Sequence, residues 1–294
     1  MASSWSEWGT RILLGAVALV VLATAAVWAL SERELRADYG VTVDPVEVPS
    51  DSASLARGRH LARSVLVCTD CHGADLGGAV AVESRPVAVF VGPNLTSGEG
   101  SVIRDYSVRD WVRAIRHGIG PDGDPLLLMP SSDYYWLGER DLGALIAYLE
   151  SLDPVDRDPG STRLGPLGRL FLAVGRLPVR EAEEIPHDRE PAAAPEPAPT
   201  RAYGMYLSRV AGCVGCHGSD LRGGPIPGAP PEIPAAPDIT SRALQGWSRD
   251  GFARALREGV RPDSTPISPF MPWEQYGGLT ATEIDALWAF LQAT

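Results

Sequence analysis

Cys68-Thr69-Asp70-Cys71-His72 and Cys213-Val214-Gly215-Cys216-His217 are two copies of C-x-x-C-H. Together they use all four cysteines of the 294-residue chain. This spacing is the attachment pattern for c-type haem, in which two thiols add across the porphyrin vinyl groups and the adjacent histidine becomes the proximal iron ligand. His72 and His217 directly follow their cysteine pairs, so the geometry forces each onto the proximal face. The competing use of four cysteines is two disulfides in an exported protein. That reading leaves both histidines unexplained, and a bridge within C-x-x-C closes a loop too small to constrain much.

Working outward from the two motifs, the flanks repeat as well. Gly58-Arg59-His60-Leu61-Ala62-Arg63 parallels Gly204-Met205-Tyr206-Leu207-Ser208-Arg209, and Gly73-Ala74-Asp75-Leu76 parallels Gly218-Ser219-Asp220-Leu221. Pro93-Asn94-Leu95-Thr96-Ser97 matches Pro237-Asp238-Ile239-Thr240-Ser241. Ser107, Trp111, Arg113, Arg116 and Gly118 align without gaps with Ser248, Phe252, Arg254, Arg257 and Gly259, and Met129-Pro130 aligns with Met271-Pro272. The ends of these blocks carry helix signals. Thr280 with Glu283 forms a capping box, Leu279 can staple to Ile284, and the partner helix starts near Gly138 with Asp141 in its first turn. Leu142, Leu145, Ile146 and Leu149 give it an apolar stripe, and Gly118 and Gly259 are C-terminal stops for the middle helices. No sustained period-2 pattern competes, so each copy reads as a three-helix domain with long loops. The fold class is all-α.

Each iron then needs a distal ligand: a methionine sulfur, a second histidine, or none. Met129 and Met271 lie 57 and 54 residues after His72 and His217, both precede proline, and both sit eight residues before the leucine that opens the last helix. A lone methionine is ordinarily a core filler, but here the repeat acts as a control. The same control removes His60, which aligns with Tyr206, His117, which aligns with Glu258, and Met205, which aligns with Arg59. His187 falls between the copies and reads as solvated. Thioether ligation raises the reduction potential and fills the sixth coordination position. Arg113, Arg116, Arg254 and Arg257 are candidates for haem propionates, with solvated helix faces the favoured reading.

Ile12 to Leu30 is an apolar run broken only by Gly15 and Thr24. Nineteen helical residues reach roughly 28 Å, close to a bilayer's hydrocarbon thickness, and Trp5, Trp8 and Trp28 flank the run as interfacial aromatics do. The reading is one transmembrane helix; the rival is a signal peptide cleaved after Val27-Trp28-Ala29. Arg11 before the run and Arg33 and Arg36 after it do not decide the orientation. Covalent haem attachment takes place outside the bacterial cytoplasmic membrane, which places the chain from about residue 31 onward in the periplasm. The divisions are an anchor at 1–35, a first haem domain at 36–154, a linker at 155–199 and a second haem domain at 200–294. Pro191 to Pro199 contains only proline, alanine and glutamate, a composition that stays extended. Leu164 to Val179 is apolar with Arg169 and Arg176 and too short to span a bilayer. It reads as a linker helix packed on the first domain, with a segment lying on the membrane as the alternative. The net charge is −11, and all 26 basic residues are arginine. A nucleic-acid partner would call for a basic face, so none is expected.

In haem motif, proline loop, Met-Pro and final amphipathic helix, in that order and twice, the chain resembles the cytochrome c family. It is similar in particular to membrane-anchored dihaem members, over about residues 52–152 and 200–293. The arrangement also resembles the cytochrome subunits of membrane-bound alcohol and sugar dehydrogenases, which often carry three haems where this chain has two motifs. The resemblance implies two covalently bound haem c groups and a proline carbonyl that accepts a hydrogen bond from each proximal histidine. Gly92-Pro93-Asn94-Leu95 matches that family stretch, and Ala236-Pro237-Asp238-Ile239 matches it loosely, which assigns the role to Pro93 and Pro237. The expected function is single-electron transfer at the outer face of the cytoplasmic membrane, without an open catalytic iron. Expected partners are the lipid bilayer and a quinol-oxidising complex, a terminal oxidase or a dehydrogenase. The alternatives are a dihaem peroxidase, which needs a vacant distal position, the electron-accepting subunit of a dehydrogenase, and a gas or redox sensor, for which no output module is visible.

Overall fold

The computed structural model describes residues 3–230 and 232–294; the side chains of the first six residues, Trp5 among them, lie outside that description. Helix α1 (Ser3–Leu35) contains the apolar run, and its apolar window is uncovered by the rest of the chain. The first domain then presents α2 (Ser52–His60), the short α3 (Thr69–His72), strands β1 (Ala79–Ser84) and β2 (Ala88–Gly92), α4 (Val108–His117), the short α5 (Ser131–Tyr134) and α6 (Glu139–Glu150). The connecting segment carries β3 (Arg163–Leu164) and α7 (Pro166–Ala173). The second domain repeats the helices as α8 (Arg201–Val210), α9 (Cys213–His217), α10 (Arg249–Glu258), α11 (Trp273–Tyr276) and α12 (Ala281–Leu291).

The predicted helix ends are present. Thr280 and Glu283 form a reciprocal capping box at α12, Gly138 is the N-cap of α6, and Gly118 and Gly259 close α4 and α10 in the left-handed conformation at φ 65° and 64°. In both copies the first and last long helices cross at a glycine. A Cβ on Gly58 of α2 or on Gly204 of α8 would lie 1.9 Å from the carbonyl oxygen of Ala144 or Ala286. Only glycine permits that approach.

Two features depart from the sequence reading. One is the three-stranded antiparallel sheet β1-β2-β3. A register shift between Val80 and Val82 breaks the alternation that would have marked β1. The other is an extra residue in the first copy, where Cys68 follows Gly58 by ten positions and Cys213 follows Gly204 by nine. A π-turn over Leu61–Val65, closed by Leu66 N–H to Leu61 O at 2.8 Å, absorbs the insertion just before the haem motif.

One contiguous apolar core runs through both domains. At its polar seam Arg57 donates two hydrogen bonds to Asp141 and one to Glu283. His60 Nε2 lies 2.7 Å from Glu283 Oε2, and the Tyr206 hydroxyl donates to Asp141 at 2.7 Å. Arg209 stacks over the Trp136 ring. The repeat relates these groups in pairs: Arg57 to Tyr203, His60 to Tyr206, Asp141 to Glu283. The domains thus meet through matching surfaces, in a pseudo-two-fold arrangement.

Candidate functional site: two matched histidine–proline cradles

Each C-x-x-C-H motif forms a single helical turn, entered through a left-handed residue (Val67, φ 47°; Gly212, φ 72°) and left through Gly73 or Gly218. The loop beyond folds back on the motif. Gly78 N–H donates to His72 O and Gly223 N–H to His217 O, both at 2.8 Å. Leu76 and Leu221 occupy left-handed backbone at φ 59° and 61°, and each carbonyl is held by the N–H of Leu95 or Ile239 at 2.9 Å. A non-glycine residue in that region is costly, and the repeat places the strain at the same point twice.

The second wall is the proline loop. His72 Nδ1 lies 2.8 Å from Pro93 O, and His217 Nδ1 lies 2.8 Å from Pro237 O. A carbonyl oxygen can only accept, so each imidazole carries its proton on Nδ1. Among the described residues neither Nε2 has a hydrogen-bond partner, which leaves its lone pair for a metal. Burial lowers both histidine pKa values, and the bond to proline opposes it in part. The neutral, ligating form is therefore favoured. In the first copy the loop approaches so closely that a Cβ on Gly92 would lie 2.1 Å from Cys71 O. Asn94 fixes the loop from behind, donating through Nδ2 to Val155 O at 2.7 Å.

The cysteines are unpaired. Burial pushes the thiols of Cys68 and Cys213 up to about 12, with Cys71 and Asp133 adding to it. Such thiols stay neutral. Among the described residues no three His, Cys, Asp or Glu side chains converge as a metal-binding cluster. Two neutral sulfurs beside one metal-ready imidazole suit thioether attachment of haem, and they do not form a tetrahedral thiolate centre. The donor set fits haem c in both copies.

Met129 and Met271 are partly buried against the common core, each followed by proline and a short helix, α5 or α11. Leu128, just before Met129, is left-handed at φ 66°, and its N–H donates to Val179 O at 2.7 Å. Arg116 is 3% exposed and donates through Nη2 to Leu137 O at 2.6 Å; Arg257 donates to the matching Leu279 O at 3.3 Å. The solvated-face reading therefore fails for Arg116, which ties α4 to the end of the methionine segment. His187 is likewise not solvated. Its Nδ1 is 2.9 Å from His117 Nδ1, and its Nε2 donates to Ala182 O at 2.9 Å. His60 is engaged by Glu283 and His117 by His187, while Met205 is exposed.

The two sites touch across the seam. Asp133 of α5 lies against the second motif, with Oδ2 3.0 Å from where a Cβ on Gly215 would stand. Gln275 of α11, its repeat partner, donates to Asp70 inside the first motif. Sequence reasoning missed these contacts because Asp133 and Gln275 differ in type although they share a position.

Residues 202–294 match the family model described as cytochrome c, and residues 53–149 match cytochrome c oxidase, cbb3-type, subunit III. The chain is similar to the cytochrome c subunit of an alcohol dehydrogenase (quinone) from Gluconacetobacter polyoxogenes, 30% identical over 71% of this chain and 49% of the relative. It spans about half that relative's length. A fructose dehydrogenase cytochrome subunit from Gluconobacter japonicus is 32% identical over 36% of this chain and 23% of its own. A diheme cytochrome c-type protein from Cereibacter sphaeroides is 28% identical over 67% of this chain and 70% of its own. The chain belongs to the cytochrome c family, as a tandem of two cytochrome c domains with two covalently bound haem c groups.

Proposed function

We propose that the chain is an electron carrier that passes single electrons between redox partners at the outer face of the cytoplasmic membrane. The supporting observation is the duplication itself: the same histidine–proline bond, strained loop and Met-Pro segment recur in both domains, with the two motifs set at one fixed seam. Haem iron supplies a one-electron ferric–ferrous couple when bound. Cys68, Cys71, Cys213 and Cys216 hold the macrocycles. His72 and His217 would ligate the irons through Nε2, with Pro93 and Pro237 fixing their orientation and strengthening them as donors. Met129 and Met271 would supply thioether sulfur to the two irons; a neutral thioether would favour the reduced state and leave no position for a substrate. Residues 1–35 form the anchor, 36–154 and 200–294 the haem domains, and 155–199 a connector. Retention of the anchor is supported by Trp28, Ser31 and Glu32, all of which contact Arg169; cleavage after Ala29 would remove the first of them.

The relatives favour one class of partner. Cytochrome subunits of alcohol, fructose and gluconate dehydrogenases match parts of this chain, which supports a dehydrogenase subunit as the donor that delivers electrons to the first or second domain. Anaerobic potentiometric titration of the full chain should show two one-electron steps, and the reduced protein should keep its spectrum under carbon monoxide. Carbon monoxide binding at both centres, or catalytic turnover of hydrogen peroxide, would overturn the proposal in favour of a peroxidase.

A further inference from the structure

Helix α7 is built in reverse for a surface helix. Its protein-facing side holds Gly168 and Leu172, both buried, with Gly168 so close to the β1–β2 turn that a Cβ would lie 2.0 Å from Val87 O. Its outward side carries Leu167, Leu170 and Phe171, with Val174 at the C-cap, spaced i, i+3, i+4 and i+7 and exposed by 45%, 39%, 36% and 58%. A helix facing water presents polar residues on that side. A contiguous apolar stripe marks an interaction surface.

What covers the stripe follows from where α7 is held. Arg169 Nη1 donates to Ser31 Oγ at 2.9 Å and to Glu32 Oε2 at 3.2 Å, and its guanidinium sits over the Trp28 ring at 5.5 Å. Farther along, Arg180 pairs with Glu34 at 2.9 Å. These contacts set α7 at the last turn of the apolar run of α1, which ends at Leu30. The stripe faces away from the domain, opposite the buried Gly168 and Leu172, at the level where the apolar run of α1 ends and hydrocarbon gives way to headgroups. Arg33 in the last turn of α1 and Arg176 just past the end of α7 are both exposed, as basic residues are where anionic lipid lies.

We propose that α7 is an interfacial membrane helix, seated in the headgroup–acyl boundary by Leu167, Leu170, Phe171 and Val174. The proposal rests on α1 being a retained membrane anchor. At the start of α7, Gly165 and Gly168 abut the β1–β2 turn, and β2 runs from that turn to Gly92 beside Cys71. The helix therefore also fixes the height of the first haem site above the bilayer.

The test uses the full-length holoprotein in vesicles of phosphatidylcholine and phosphatidylglycerol. The native cysteines are consumed by haem, so nitroxides are placed through Phe171→Cys, Val174→Cys and, as an anchor control, Val20→Cys. The expected result is that labels at 171 and 174 collide severalfold more with oxygen than with an aqueous nickel chelate, as the label at 20 does. Water-like accessibility at 171 and 174 with a lipid-like label at 20 overturns the interfacial helix and leaves the anchor standing. Protection from both reagents at 171 and 174 also overturns it, in favour of a protein partner or a second copy. A water-like label at 20 overturns the anchor reading first.

Discussion

Arg116 shows how a side chain outside the donor set can hold a site in shape. It is buried, and its hydrogen bond to Leu137 O is the anchor between α4 and the end of the methionine segment. Arg116→Leu strands a buried carbonyl at a cost of about 1–3 kcal/mol. Denaturant titration should register that loss, and a much smaller one for Arg257→Leu, because Arg257 is exposed and its bond is longer. The histidines and cysteines were legible in the sequence because covalent spacing leaves them little freedom. The role of Arg116 was not, because a helical arginine carries no mark of whether its end reaches solvent or a carbonyl twenty-one residues away.

At the scale of elements, the long helices were legible through caps and apolar stripes, which are local signals. The sheet was hidden by the short length of its strands and by the irregular register at Val80 and Val82. The π-turn at Leu61–Val65 left only a one-residue difference in spacing between the copies, visible once the backbone explained it. The glycine crossings set the tightest demand. Gly204→Val forces α8 away from α12, and overpacking of this kind costs about 1–3 kcal/mol. The melting temperature should fall, whereas Gly246→Val, at an open position, carries only a backbone penalty for its left-handed φ of 84°. Thr280→Ala removes the capping box of α12 and should cost about 1 kcal/mol in the same assay.

At the scale of the whole molecule, the seam was illegible for a reason the repeat itself supplies. Comparing the copies treats differing residues as noise, yet Arg57 against Tyr203 and His60 against Tyr206 are the groups that join the domains. Burial works against ionisation of Glu283, but the hydrogen bond and charge of His60, the Thr280 N–H and Arg57 outweigh it and hold the carboxyl at about 2. That value lies below the ordinary glutamate range, so the ionised form favours the folded state. Its contribution is complete above about pH 4.5 and is lost as pH falls through about 2. Denaturation followed from pH 6 down to pH 2 should show this acid-side loss, and Glu283→Gln should flatten it over that window.

The near-infrared charge-transfer absorption between thioether sulfur and ferric iron, recorded on the oxidised full-length protein and on its Met129→Ala and Met271→Ala variants, tests the paired centres most directly. The expected result is a band of two-centre intensity that falls by about half in each variant and disappears in the double variant. A band absent from the native protein, or unchanged by either substitution, would contradict the account.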